Sequence, residues 1–210
     1  MFKIIIADDH PLLREGLKKI LSQEKNFQTV AEANNGDQLL KTLSSTDCDI
    51  VIVDLNMPGK HGLDLIKDIK AFYPKIKILV VSALSSEKHG PRLLKSGISG
   101  FMPKDLAADE LIEAVKKISL GQKYITPSLA DKLASSFGEI PADKPHEKLS
   151  DREFQILCLI AEGYTVHEIS VKLSISISTI NTYHSRICEK MDMKSNAELI
   201  LYAIKNNLVE

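Results

Sequence analysis

Only three cysteines, Cys48, Cys158 and Cys188, occur among the 210 residues. Their wide separation excludes a disulfide framework and a cysteine-ligated zinc site, so they read as reduced packing residues of a cytosolic protein. No apolar run approaches the roughly 20 residues needed to cross a bilayer. The opening Met1-Phe2-Lys3-Ile4-Ile5-Ile6 meets Asp8 and Asp9 before it reaches signal-peptide length. A cytoplasmic chain with no membrane partner is expected. Neither charge is in excess: the formal net charge is −1, so nucleic-acid binding is decided by where charges sit. A Gly-rich phosphate loop followed by Lys-Ser/Thr is also missing, which argues against a nucleotide-binding signalling protein. With 44% apolar and 26% charged residues, the balance is that of a globular protein, and the length suits two domains with separate cores.

What is present first is an alternation. Short β-branched runs over residues 3–7, 29–33, 50–53, 77–81 and 100–102 predict five strands. Between them, residues 12–25, 36–43, 62–72, 91–96 and 106–120 carry helical spacing. Near-continuous apolar strands alternating with helices imply a five-stranded parallel sheet covered on both faces, a doubly wound α/β domain. The fourth helix is confined to 91–96 because His89-Gly90-Pro91 stands where it ought to begin, and Gly followed by Pro does not belong inside a helix. A short element there suits a mobile switching surface and fits a long loop equally.

Residues 137–148 hold Gly138, Pro141 and Pro145 among charged residues, which predicts a linker that neither packs nor propagates a helix. Before it, residues 127–137 read as a tether helix, with Pro127 at a first helical position and Leu129 and Leu133 on one face. The expected division is therefore 1–121, a tether and linker over 122–148, and a second domain over 149–210. Beyond Leu149 strand patterns cease. Ser150 with Glu153, Thr165 with Glu168, and Ser195 with Glu198 each match a capping box, in which the hydroxyl accepts from an unpaired backbone N–H and the Glu reaches back. Ser176 supplies a simpler cap. An all-α, four-helix domain follows, with Gly163 ending its first helix and Leu173-Ser174-Ile175-Ser176 forming the tight turn of a helix-turn-helix.

In a parallel α/β sheet, ligands bind at the carboxyl ends of the strands. Asp8 and Asp9 follow the first strand, Asp54 the third, Ser82 the fourth and Lys104 the fifth. Any one of them alone reads as a solvated loop residue; five in register predict a site. Three carboxylates brought together repel unless a cation joins them, and an all-oxygen cluster with open positions suits Mg²⁺, which bridges to phosphate. An aspartate-nucleophile phosphatase would use similar groups, but with a second Asp two residues after a first-strand nucleophile. Asp8-Asp9 lacks that spacing.

Ala7-Asp8-Asp9-His10-Pro11-Leu12-Leu13-Arg14-Glu15-Gly16-Leu17, Asp54-Leu55-Asn56-Met57-Pro58-Gly59-Lys60-His61-Gly62 and Gly100-Phe101-Met102-Pro103-Lys104 resemble the receiver signatures of NarL/FixJ-family two-component response regulators. The resemblance covers residues 1–121 and implies a flavodoxin-like receiver that is not itself an enzyme. It implies that Asp54 accepts a phosphoryl group from a sensor histidine kinase as an acyl phosphate. Asp9 directly, Asp8 through water, Asp54 and the backbone carbonyl of Asn56 would hold Mg²⁺. Lys104 would supply a point charge to the phosphoryl oxygens, and the Ser82 hydroxyl a hydrogen bond. The added charge would draw Ser82 inward and make room for a switching Phe101 ring, for which ordinary core packing is the alternative reading. Kinase recognition would fall on the first helix, at Pro11, Leu12, Arg14 and Glu15. A receiver that works without phosphate is the remaining rival, and the complete acidic set argues against it.

Leu149-Ser150-Asp151-Arg152-Glu153, Ala161-Glu162-Gly163, Ser178-Thr179-Ile180-Asn181-Thr182-Tyr183 and Ala197-Glu198-Leu199 resemble the LuxR-type DNA-binding domain. In its third helix Ile180, Tyr183, Ile187 and Met191 recur at core-facing spacing, leaving Asn181, Thr182, Ser185 and Arg186 open. Asn pairs with adenine and Arg with guanine in the major groove, while Thr and Ser serve either. Lys190 and Lys194 would meet phosphates. Asn181 stands where relatives often carry a basic residue, and Tyr183 where many carry His, so sequence specificity does not transfer. Acidic residues outnumber basic ones over 149–210 by eight to six, which predicts modest nonspecific affinity. In the last helix Leu199, Ile200, Ala203 and Ile204 share a side that suits core packing or a dimer contact. The resemblance implies homodimers on paired half-sites of double-stranded promoter DNA, formed on phosphorylation or DNA binding, with RNA polymerase as a further partner.

Overall fold

The β-branched runs form the strands. In the computed structural model β1 (Phe2–Ala7), β2 (Phe27–Ala33), β3 (Ile50–Val53), β4 (Lys77–Ser82) and β5 (Gly100–Pro103) make one parallel sheet in the order β2-β1-β3-β4-β5. The structure describes all residues except 59–61, 83–85, 105–107, 137–143, 174, 207 and 210. Gly59, Lys60 and His61 of the second receiver signature, Gly138 and Pro141 of the expected linker, and Ser174 of the expected turn lie outside the described residues. The chain divides into two units, Met1–Ser136 and Phe137–Glu210.

Both faces of the sheet are apolar because helices cover both. Ile5, Val51, Val53, Ile78 and Val80 share one core with Leu39 of α2 (Gly36–Ser45) and Leu65, Ile66 and Ile69 of α3 (Gly62–Phe72). Ile4, Ile6, Ile52, Leu79 and Val81 share the other with Leu17 and Leu21 of α1 (Pro11–Leu21) and Leu111, Ala114, Val115 and Ile118 of α5 (Ala108–Ser119). The chain crosses from β2 past β1 to β3, so the crevice at the carboxyl ends of β1 and β3 is the switch point where such sheets bind ligands.

The fourth helix corrects the sequence reading. Instead of starting at Pro91, α4 spans Ser86–Lys95 and carries Gly90 and Pro91 in its interior. An interior proline costs a helix about 3 kcal/mol, and tertiary packing offsets it. Leu93 is buried, a gain of roughly 1.5–3 kcal/mol. Gly90 lies against Leu129 of α6 (Pro127–Ser136), the expected tether helix, whose Leu129 is fully buried in the first unit. A Cβ at Gly90 would stand 2.6 Å from both methyls of Leu129. Gly90→Ala gains about 1 kcal/mol of helix propensity but displaces the fully buried Leu129, an overpacking that costs roughly 1–3 kcal/mol. A lower urea midpoint is expected for Gly90→Ala, with a smaller drop when the same change is made on a Leu129→Ala background.

In the second unit α7 (Asp151–Ala161), α8 (Val166–Leu173), α9 (Ile177–Met191) and α10 (Asn196–Lys205) enclose Ile156, Leu157, Ile169, Ile180, Ile187, Leu199 and Ala203. The capping residues act as their spacing demands. Ser150 and Glu153 close a complete box, as do Thr165 and Glu168. Ser195 accepts from Glu198 N–H, but the Glu198 carboxylate reaches back to Lys194 N–H instead, so this box is half made. Gly163, at φ +90°, ends α7 in the left-handed conformation. The end of the expected linker is also corrected: Pro145–Lys148 forms a 3-10 turn, because Pro145 presets its first φ and His146 Nδ1 meets Tyr202 Oη at 2.7 Å.

Candidate functional site

The carboxyl ends of β1, β3 and β5 bring Asp8, Asp9, Asp54 and Lys104 together. Asp8 and Asp54 are buried, each leaving 2% or less exposed, and Lys104 Nζ bridges them at 2.8 Å from an oxygen of each. Burial alone would lower the Lys104 ammonium, but its bonds to Asp54 and Asp8 outweigh that and raise it above its ordinary value. The second Asp54 oxygen accepts from Asn56 N–H at 3.1 Å, which ties the β3 loop to the site. Lys104 N–H donates to the Ser82 carbonyl, so the ends of β4 and β5 are joined beside the cluster. Ser82 is buried there, and Phe101 is fully buried in the sheet core with Leu93, Ile98 and Leu129.

One lysine does not balance three carboxylates. Asp8, Asp9, Asp54 and His10 place ligand atoms within 4.8 Å of one another. Asp9 Oδ1 is buried and accepts no hydrogen bond, although His10 Nδ1 stands 2.8 Å away. Hard oxygen donors with an unsatisfied oxygen among them fit a hard divalent cation.

Two residues around the cluster were misjudged or missed from sequence. Arg14 was assigned to an exposed kinase-facing turn, yet its side chain is only 17% exposed and donates from Nη1 to the Asp8 carbonyl at 2.6 Å. The reason is Glu32 on β2, which draws the guanidinium inward across a separation in sequence that local patterns do not reveal. His10 also lies at the cluster, a place that its position within the first receiver signature does not single out. Pro11, Leu12 and Glu15 are exposed as expected.

On the second unit, α9 buries Ile180, Ile187 and Met191 and packs Tyr183 against them, leaving Asn181, Thr182, Ser185 and Arg186 exposed on one face. Lys194 is exposed beyond the end of this helix. Lys190, expected on phosphate, is exposed and pairs with Glu153 at 2.7 Å. The cause is the α7 cap, whose buried carboxylate needs a counter-charge. Burial opposes ionisation of Glu153, but Lys190 and the Ser150 bonds prevail and hold it below the usual carboxylate range. Its folded pKa is therefore depressed, so its contribution is present above the unfolded value of about 4.3 and is lost as pH falls through the folded value. In urea titrations, the advantage of wild type over Glu153→Gln should be full near about pH 6 and shrink below about pH 4.

Two family models match: the response regulator receiver domain over residues 4–116, and the luxR family of bacterial regulatory proteins over residues 147–203. GacA, a response regulator of Pseudomonas aeruginosa, is 36% identical, with the alignment covering 100% of this chain and 99% of the relative. UvrY, a response regulator of Escherichia coli, is 31% identical over 99% of this chain and 96% of its own. Among solved structures, a complex of the two-component response regulator RcsB with DNA is 31% identical, covers 96% of both chains and gives a TM-score of 0.62. RcsB from Salmonella enterica serovar Typhimurium, bound to a promoter in the presence of the phosphomimetic BeF3⁻, is also 31% identical, covers 96% of this chain and 97% of that one, and gives 0.63. A buried aspartate on a lysine at the carboxyl end of the sheet and an open helix face on a separate four-helix unit thus have a common explanation. The chain belongs to the response regulators that join a receiver domain to a LuxR-type DNA-binding domain.

Proposed function

We propose that Asp54 is phosphorylated by a sensor histidine kinase in a Mg²⁺-dependent reaction, and that this controls sequence-specific binding of promoter DNA through α9. The observation that carries the reading is the buried Asp54 carboxylate, with one oxygen on Lys104 and the other on Asn56 N–H. An Asp54 oxygen attacks the phosphorus, an O–P bond forms, the P–N bond to the kinase imidazole breaks, and the imidazole leaves. Asp9, Asp54, the Asn56 carbonyl and, through water, Asp8 would hold Mg²⁺, whose charge would offset that of the transferring group. Lys104 passes from the carboxylates to the phosphoryl oxygens, and Ser82 donates to one of them. Phe101, already packed inward, would hold the phosphorylated arrangement of β4 and β5. The protein acts as a phosphoacceptor, not as an enzyme on a separate substrate.

A cavity of about 120 Å³ between α1 and α5, lined by Leu12, Leu13, Leu17, Leu111 and Lys104, would accept one apolar side chain of a kinase beside the site. Residues 1–121 form the receiver proper, α6 and the linker over 122–148 follow, and 149–210 carry DNA recognition. On DNA, Asn181, Thr182, Ser185 and Arg186 would read bases, with Lys194 on phosphate. Lys190 would reach phosphate only by leaving Glu153. Dimers on paired half-sites, engaging RNA polymerase from a cytoplasmic pool, complete the reading. Among the described residues no helix is long and apolar enough to cross a membrane.

Incubation with acetyl phosphate and Mg²⁺, followed by intact-mass measurement, tests the chemistry. A stable gain of one phosphoryl group that EDTA prevents is expected. Turnover of the donor without accumulation would instead indicate a phosphatase, and no labelling a receiver that works without phosphate.

A further inference from the structure

We infer that Arg14 is a positioning residue for the divalent cation: it holds the Asp8–Asp9 peptide and thereby aims the Asp9 carboxylate. This rests on the proposed Mg²⁺ site. The carbonyl of Asp8 belongs to the peptide that enters Asp9, and Arg14 Nη1 donates to it at 2.6 Å. On the other side of the same residue, Asp8 N–H donates to the Ala33 carbonyl of β2 at 3.1 Å. Asp8 is therefore tied on both sides, to β2 by its N–H and to α1 by Arg14 at its carbonyl.

The guanidinium is itself fixed. Its Nε donates to Glu32 Oε2 at 3.2 Å, and the other Glu32 oxygen takes Lys18 Nζ at 2.7 Å. Lys18, then Arg14, hold the Glu32 carboxyl below the usual carboxylate range, so it stays charged as an anchor. Glu32 precedes Ala33, and one guanidinium thus braces the ends of β1 and β2 against the first turns of α1. Arginine's planar fork makes both bonds at once, which a lysine ammonium on a flexible stem cannot do in the same geometry. Asp9 Oδ1, buried without a hydrogen bond, is the atom this brace presents. Nothing else among the described contacts orients that carboxylate except the neighbouring His10 ring.

Groups that orient metal ligands are worth roughly 10–100-fold in metal affinity. The test uses the full-length chain as wild type, Arg14→Met, Arg14→Lys and Glu32→Gln. Mg²⁺ affinity is measured by calorimetry, thermal midpoints are taken without metal, and acetyl phosphate labelling is followed across Mg²⁺ concentrations. Both Arg14 variants should bind Mg²⁺ about 10-fold or more weakly, and Glu32→Gln should fall between them and wild type. Labelling should recover towards the wild-type rate at saturating Mg²⁺, because Arg14 touches no reacting atom. Wild-type affinity in Arg14→Met or Arg14→Lys would overturn the inference, as would a rate deficit that saturating Mg²⁺ leaves unchanged. A wild-type chain that bound no Mg²⁺ would overturn the metal reading itself, a result separable from either.

Discussion

Asp54→Ala is expected to abolish acyl phosphate formation and, with it, any tightening of DNA binding by a phosphodonor. No other carboxylate is equivalent. Asp8 is as buried, but its oxygens are taken by Lys104, His10 N–H and the His10 ring. Asp9 is assigned to the proposed cation. Removing Asp54 leaves Lys104 paired with Asp8 and relieves the repulsion among three acids, so the variant should unfold at no lower a temperature than wild type. Intact mass with and without acetyl phosphate, beside DNA-binding isotherms for both proteins, gives the two readouts. Phosphodonor-tightened binding in Asp54→Ala would place control of the second unit outside this residue.

Arg186→Ala should weaken binding to the preferred DNA site by about 10- to 100-fold and relax discrimination at one base position, the effect of losing a bidentate contact to guanine. Arg186 lies on the exposed face of α9 with Asn181, Thr182 and Ser185. The Thr182 and Ser185 hydroxyls donate back to the carbonyls of Ser178 and Asn181, leaving their oxygens only as acceptors toward DNA. Lys190→Ala should act differently: its ammonium serves Glu153, so the variant loses stability in the second unit more than DNA affinity. Titrations on the preferred site and on scrambled DNA at two salt concentrations separate the cases. An equal loss on both sequences for Arg186→Ala would make it a phosphate contact.

Local features were legible and distant ones were not. The strand at Ile50–Val53 and the helix at Gly62–Phe72 stand where the apolar spacing put them, because burial on two faces or on one stripe is written into neighbouring residues. Ser150, Thr165, Ser176 and Ser195 marked helix starts for the same reason. The acidic cluster was legible because a parallel sheet gathers the ends of its strands. By contrast, Gly90 and Pro91 spoke for a break, and the packing of Leu93 and of distant Leu129 against this helix is not written in the neighbouring residues. Arg14 reads as a surface cation until Glu32 is set beside it. The acidic excess of the second domain has a local use as well, since Glu153, Glu168 and Glu198 accept from backbone N–H groups at helix starts.

The seat of Leu129 on Gly90 changes where the molecule can be dissected. A fragment ended at residue 121 would keep every phosphoacceptor residue and lose the side chain that closes the apolar slot over Gly90, Leu93 and Phe101. Such a fragment would present that slot to water and associate with itself as its concentration rises. A fragment carried on to residue 136 retains the cover, so for the purposes of folding the receiver runs to the last turn of α6, well beyond Lys104, the last residue of its chemistry.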